Sequence, residues 1–183
     1  MNRAEAYQLL TEYTEKDALI KHALSVEGAM RAYAEKFDED VEAWGIVGLL
    51  HDFDYEKHPT QDEHPFVGAE ILRKKGYPEA WVRAILGHAS YSGVPRDTLM
   101  AKTLFAVDEL CGFITAVAYV RPSRSLAEVS VESVKKKLKD KRFAAAVSRE
   151  DIQQGTEELG VDLDAHIDFT IKALQRISDD LGL

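Results

Sequence analysis

A chain of 183 residues, 45% hydrophobic and 30% charged, is long enough to bury a sizeable core as one compact domain. With 32 acidic against 23 basic residues the net charge is −9, which disfavours long-range attraction to nucleic acid or to anionic membranes. The single cysteine, Cys111, excludes an intramolecular disulfide and a cysteine metal cluster; the first residues are polar and amphipathic, no apolar run reaches spanning length, and a cytoplasmic protein is expected.

Helical periodicity dominates, and no stretch alternates apolar and polar residues between hairpin turns, so the expected fold class is all-α. Ala4 to Thr14 reads as a first amphipathic helix and Lys16 to Phe37 as a longer one, with Ile20, Ala23, Leu24, Met30 and Ala34 inward. His22 falls in line with Val26, Ala29, Met30 and Tyr33 and therefore points toward the interior. The acids Asp38, Glu39 and Asp40 open the next helix at its positive end. Its apolar run, Trp44 to Leu50, gives out at His51-Asp52. Histidine suits the negative end of a helix; aspartate does not, and an anion leaving a buried helix there needs a compensating cation. Imidazole with carboxylate is a common ligand set for transition metals.

Phe53 to Glu63 is polar and punctuated by proline, a loop in which His58 reads as a surface residue. His64-Pro65 is expected to start a helix with proline in the favoured first turn. His64 is preferred to His58 as a functional residue because Pro65 to Ala69 behind it is apolar, with Gly68 permitting close helix approach. Gly76-Tyr77-Pro78 ends that helix, and Glu79 to Gly87 delivers His88 at its C-terminal edge. After a loop from Ala89 to Arg96 comes a core helix, Thr103 to Val120, that buries Asp108 among Leu104, Phe105, Val107, Leu110 and Cys111. An unpaired buried carboxylate costs several kcal/mol, so Asp108 needs either a metal or a salt bridge from another helix. Glu109 reads as solvent-facing, and Cys111 as core. A basic turn, Arg121 to Arg124, a lysine-rich helix from Ser130, a helix capped by Ser148 and a terminal helix from Leu163 complete the chain. The run Lys135 to Lys139 reads as a solvated face, and His166, among Asp162, Asp164 and Asp168, as exposed.

In order, His22, His51-Asp52, His64, His88 and Asp108 form an H…HD…H…H…D series, and this resembles the HD superfamily of metal-dependent phosphohydrolases. The strings Leu49-Leu50-His51-Asp52, His64-Pro65-Phe66-Val67-Gly68-Ala69-Glu70-Ile71-Leu72, Gly87-His88 and Ala106-Val107-Asp108-Glu109-Leu110 carry the resemblance. The second is similar to the cyclic-dinucleotide phosphodiesterase branch, whose lysine after the His-Asp pair is replaced here by Tyr55. The ligand order is similar to that of the diadenosine-tetraphosphate hydrolase branch. The resemblance implies a single multi-helix domain over 1–183, with a metal-site core from about 16 to 120 and a helical extension from about 125 to 183. It further implies two divalent transition metals (Fe, Mn, Co, Ni or Zn): His22, His51, Asp52 and Asp108 would hold one, and His64, His88 and a bridging Asp52 the other.

His51 and Asp52 would stand at the catalytic centre, where a metal-activated water attacks a small phosphorylated substrate such as a nucleotide. Lys102, Arg121, Arg124, Ser90, Tyr91 and Arg96 are the candidates for holding phosphate, Lys102 and Arg121 first because they flank the helix of Asp108. Some members of the superfamily use the same series to hold two irons and activate dioxygen, and a noncatalytic nucleotide-binding module is the other alternative.

Overall fold

A computed structural model describes residues 1–183 as ten α-helices without a strand. The first three are α1 (Arg3–Tyr13), α2 (Asp17–Phe37) and α3 (Val41–Leu50). Asn2 caps α1 and Asp40 caps α3 through side chains that accept from backbone N–H groups in the first turn. Between α2 and α3 the chain reverses at Asp38, in the left-handed conformation. The two helices then pack so closely that a Cβ at Gly48 would stand 2.9 Å from the Val26 carbonyl. Glu27, 3% exposed on α2, accepts from Arg3 at 2.6 and 2.9 Å and from Arg31 at 2.9 Å, which ties α1 to this pair with a compensated charge.

Next come α4 (Phe66–Lys74), α5 (Glu79–His88) and the central helix α6 (Leu99–Tyr119), which begins four residues earlier than its apolar run suggests because Thr98 caps it. Pro65 is not in the first turn of α4: it precedes the helix, and its peptide bond with His64 is cis. The loop after α5 contains one 3-10 turn, Ser90–Ser92. The chain ends in α7 (Val131–Leu138), α8 (Arg149–Leu159), α9 (Leu163–Gln175) and α10 (Ser178–Leu181).

These last helices share the core with the first six. Leu126, Val134, Ile152, Ile167 and Leu174 belong to the same buried cluster as Met30, Leu49 and Leu110. Helix α8 lies hard against α6, where a Cβ at Gly155 would stand 2.6 Å from the Cα of Ala106. Contrary to the expectation from its acidic neighbours, His166 on α9 is 1% exposed. Its Nδ1 accepts from the Tyr33 hydroxyl and its Nε2–H donates to the Ala106 carbonyl at 2.9 Å. Two elements from the C-terminal part thus clamp α6 two residues from Asp108. No helix is long and apolar enough to cross a membrane.

Candidate metal centre

Five segments converge on one point: α2 brings His22, the end of α3 brings His51 and Asp52, the following loop brings His64, α5 ends in His88 and α6 brings Asp108. They form two groups, His22 with His51 and Asp108, and Asp52 with His64 and His88, the ligand atoms of each lying within 4.8 Å of one another. In the first, the Asp108 Oδ1 is 3.0 Å from the His22 Nε2 and 3.3 Å from the His51 Nε2, and the two nitrogens are 3.2 Å apart. In the second, the Asp52 Oδ1 is 3.2 Å from the Nε2 of both His64 and His88, which are 3.3 Å from each other. The other oxygen of Asp52 turns to the first group, 3.6 Å from the His51 Nε2 and 4.0 Å from the His22 Nε2. Asp52 therefore spans both groups.

The outer hydrogen bonds decide what these nitrogens offer. His51 Nδ1 lies 2.7 Å from the Gly48 carbonyl, His88 Nδ1 is bonded to the Ile85 carbonyl, and His64 Nδ1 lies 2.8 Å from the Asp54 carboxylate. Carbonyls and carboxylates only accept, so in each neutral ring Nδ1 carries the hydrogen and Nε2 is a bare lone pair aimed inward. Lone pairs facing one another beside carboxylates need a cation between them. Without a metal, protons supply that positive charge. Burial pulls His51 down, but the Asp52 and Asp108 carboxylates outweigh it and lift the ring to about 10. For His64, burial is likewise outweighed, here by Asp52 and Asp54, to about 9. Burial alone would raise Asp52 and Asp108; the imidazoles, His51 foremost, hold both below the ordinary carboxylate range. The donor set of imidazole nitrogen and carboxylate oxygen, with a carboxylate shared between the two groups, fits divalent metal.

One side of the centre is open. The side chains of His22, Asp52 and Asp108 are 21%, 25% and 16% exposed, whereas His51 is fully buried. Tyr55 and Tyr91 stand at the rim: the Tyr55 ring meets the His64 ring edge-on at 5.3 Å, and the Tyr91 hydroxyl donates to the His64 carbonyl. Burial and the nearby Asp52 push the Tyr91 phenol above its ordinary pKa.

The phosphate candidates fare differently from the ligands. Arg121 lies just past the end of α6 and thirteen positions beyond Asp108, roughly 20 Å along a helix rising 1.5 Å per residue, too far for its side chain to reach the centre. Lys102, six positions the other way, is about 9 Å along the axis and on another face. It lines a cleft of about 520 Å3 with Ser90, Arg96 and Glu158. Arg96 is committed: it grips Glu158 at 2.6 and 2.7 Å, donates to the Gly87 carbonyl at 3.0 Å and stacks on the Phe105 ring. It therefore props the end of α5 next to His88, a positioning task. His58 stays in the loop near Glu63, outside both groups.

Sequence reasoning missed three residues. Asp54 is 1% exposed and accepts from both His64 Nδ1 and the Gly68 N–H; a Cβ at Gly68 would stand 2.7 Å from its carboxyl carbon, so that glycine makes room for the carboxylate and not for a helix. Its only signal was a second aspartate two places after Asp52 beside an aromatic residue. Glu109 is partly buried and accepts from the Ser148 N–H; burial, then the neighbouring Asp108, push it up to about 7. Lys21, beside His22, lines a cavity together with that histidine.

The family model described as "HD domain" matches residues 19–112, just over half of the chain. Among curated proteins, "Ribonuclease Y" of Lawsonia intracellularis (strain PHE/MN1-00) is 30% identical over 103 residues, which cover 56% of this chain and 19% of that protein. The chain thus spans about a fifth of that relative's length. No solved structure matches.

Proposed function

The chain belongs to the HD domain family, a superfamily of metal-dependent phosphohydrolases, and we propose that it hydrolyses a nucleotide or another small phosphate ester with a metal-activated water. The observation that carries this reading is the pair of three-ligand groups meeting at Asp52, with bare Nε2 lone pairs fixed by hydrogen bonds at the far side of three rings. His22, His51, Asp108 and Asp52 would hold one divalent metal, and His64, His88 and Asp52 the other. When bound, such metals supply a water of lowered pKa and positive charge opposite the phosphoryl oxygens.

The chain's own contribution is geometry and exclusion. Gly48, Asp54 and Ile85 fix the Nδ1–H of three rings, so the proton that a metal displaces leaves from Nε2 and the ring needs no reorientation. Asp52 and Asp108 keep their negative charge because their pKa values are depressed, and the fully buried His51 ring keeps its side of the site from bulk water. The phosphate must approach from the side where Asp52 and Asp108 are exposed.

A net charge of −9 and the lack of a reachable arginine argue for a substrate with few phosphates. The name of the relative makes RNA the rival. The test is a panel of nucleoside monophosphates, sugar phosphates, dinucleotides and a short RNA, each with Mn, Fe, Co, Ni and Mg, with Asp52→Ala as control. Turnover of a small ester, lost in the control, is expected. Cleavage of RNA alone would replace the substrate class, metal and nucleotide binding without turnover would leave a binding module, and oxygen consumption with iron would make it an oxygenase.

A further inference from the structure

The histidines of the centre are not alike. His51, His64 and His88 each have Nδ1 engaged by an acceptor of the protein. His22 does not: its Nε2 lies on Asp108, and its Nδ1 and Cε1 face Gly112 of α6, where an added Cβ would meet them at 3.9 Å and nothing nearer. That space opens into a cavity of about 240 Å3 between the start of α2 and the second half of α6, closed by α10. Ala18, Ala116 and Leu181 make its walls apolar. Of its polar groups, Thr115 already donates to the Gly112 carbonyl and Lys21 is paired with the exposed Asp17 at 2.8 Å.

When a metal at the centre takes the Nε2 lone pair in place of the contact with Asp108, Nδ1 of His22 carries the hydrogen, and no protein atom accepts it. A donor at the edge of an apolar cavity is matched by a guest that is mostly apolar and brings one acceptor. On the order of 150 Å3 suffices for a benzene ring, so the cavity has room for one or two fused rings and not for a polymer. The His22 ring is shared by the two, lining the cavity while its Nε2 lies at the centre.

We propose that this cavity is the subsite for the organic part of the substrate, a compact ring system whose acceptor atom takes the His22 Nδ1–H while its phosphate lies at the Asp52 centre. The assignment rests on the phosphohydrolase reading. It makes the enzyme selective for ring-bearing phosphate esters, with Lys21 at the cavity edge screening the anion as it enters.

Two substitutions fill the space from its wall. Gly112→Ala meets nothing closer than 3.9 Å and favours the helix, and Ala116→Leu projects further into the cavity. For the metal-loaded protein, kcat/KM is measured with p-nitrophenyl phosphate and AMP against glycerol 3-phosphate. The parent should prefer the ring-bearing esters at least tenfold. Ala116→Leu should erase most of that ratio through KM, with metal content held. A second readout needs no turnover: adenosine titrated into the zinc-loaded protein should shift the amide resonances of Gly112 and Thr115 saturably, and Ala116→Leu should abolish the shifts. Turnover with no ring preference, a ratio untouched by Ala116→Leu, or adenosine shifts elsewhere would each overturn the subsite. Absence of turnover for every ester, with adenosine shifts at Gly112, would instead remove the hydrolase reading and leave the cavity as a ligand site.

Discussion

Asp54→Asn isolates the tautomer of His64 from everything else in the centre. The carboxylate accepts from His64 Nδ1 at 2.8 Å through one oxygen and from the Gly68 N–H at 2.8 Å through the other. An asparagine amide has the same shape but only one acceptor. The Gly68 backbone can only donate, so it takes the amide oxygen, and the NH2 group then faces His64 Nδ1. His64 satisfies it by moving its hydrogen to Nε2, which replaces the lone pair at 3.2 Å from Asp52 with an N–H. Both hydrogen bonds survive in number, so folding stability should fall by only about 1 kcal/mol. Metal affinity of the Asp52, His64, His88 group should fall about 10- to 100-fold, the usual effect of losing an outer hydrogen-bond partner.

Asp54→Ala is the contrasting case: it strands two buried donors at about 1–3 kcal/mol each and should be markedly less stable. Metal stoichiometry after dialysis, calorimetric titration and denaturant unfolding of both variants separate the effects. Nitrogen-15 shifts of His64 report the tautomer directly. An Asp54→Asn protein that binds two metals with parental affinity would refute the reasoning.

Asp52→Ala should lose metal from both groups and all turnover, whereas His58→Ala should retain metal content and activity within a fewfold; parental metal content in Asp52→Ala would remove the bridge. Gly155→Ala puts a methyl 2.6 Å from the Ala106 backbone, so the roughly 1 kcal/mol gain in helix propensity should be outweighed by about 1–3 kcal/mol of overpacking, read as a lower Tm. An unchanged or higher Tm would show that α8 can move away without cost. Burial of His166 lowers its pKa, so below the unfolded-state value of about 6.5 the unfolded chain binds more protons and stability falls with pH. Between pH 7 and 5 the parent should therefore lose stability relative to His166→Gln, by less than about 1.4 kcal/mol per pH unit, and parallel curves would refute it.

The all-α architecture was legible because a 3.6-residue period survives wherever one helix face is buried, and caps such as Asp40 and Ser148 mark the starts without help from distant residues. The six candidate ligands were legible for a related reason: a histidine or aspartate in a run such as Trp44–Asp52 or Leu104–Cys111 contradicts its surroundings unless something pairs with it. What pairs with it is not a local property. Asp108 meets His22 from 86 positions away, and the order of residues along α6 says which face Asp108 occupies but not which helix lies opposite.

The same limit explains the corrections. Arg121 lies just past the C-terminal end of the helix that carries Asp108, and the rise per residue shows that following a helix does not mean sharing its site. The acids at 164 and 168 lie across the helix from His166, so their charge described one face of α9 while Tyr33 and the Ala106 carbonyl waited on the other. Asp54 is the sharpest case: one side chain two places from Asp52 is an exposed loop acid or the lock on a histidine tautomer according to whether Gly68 comes close enough to donate. Periodicity determines orientation; partners, depth and protonation depend on which segments tertiary packing brings within hydrogen-bond distance.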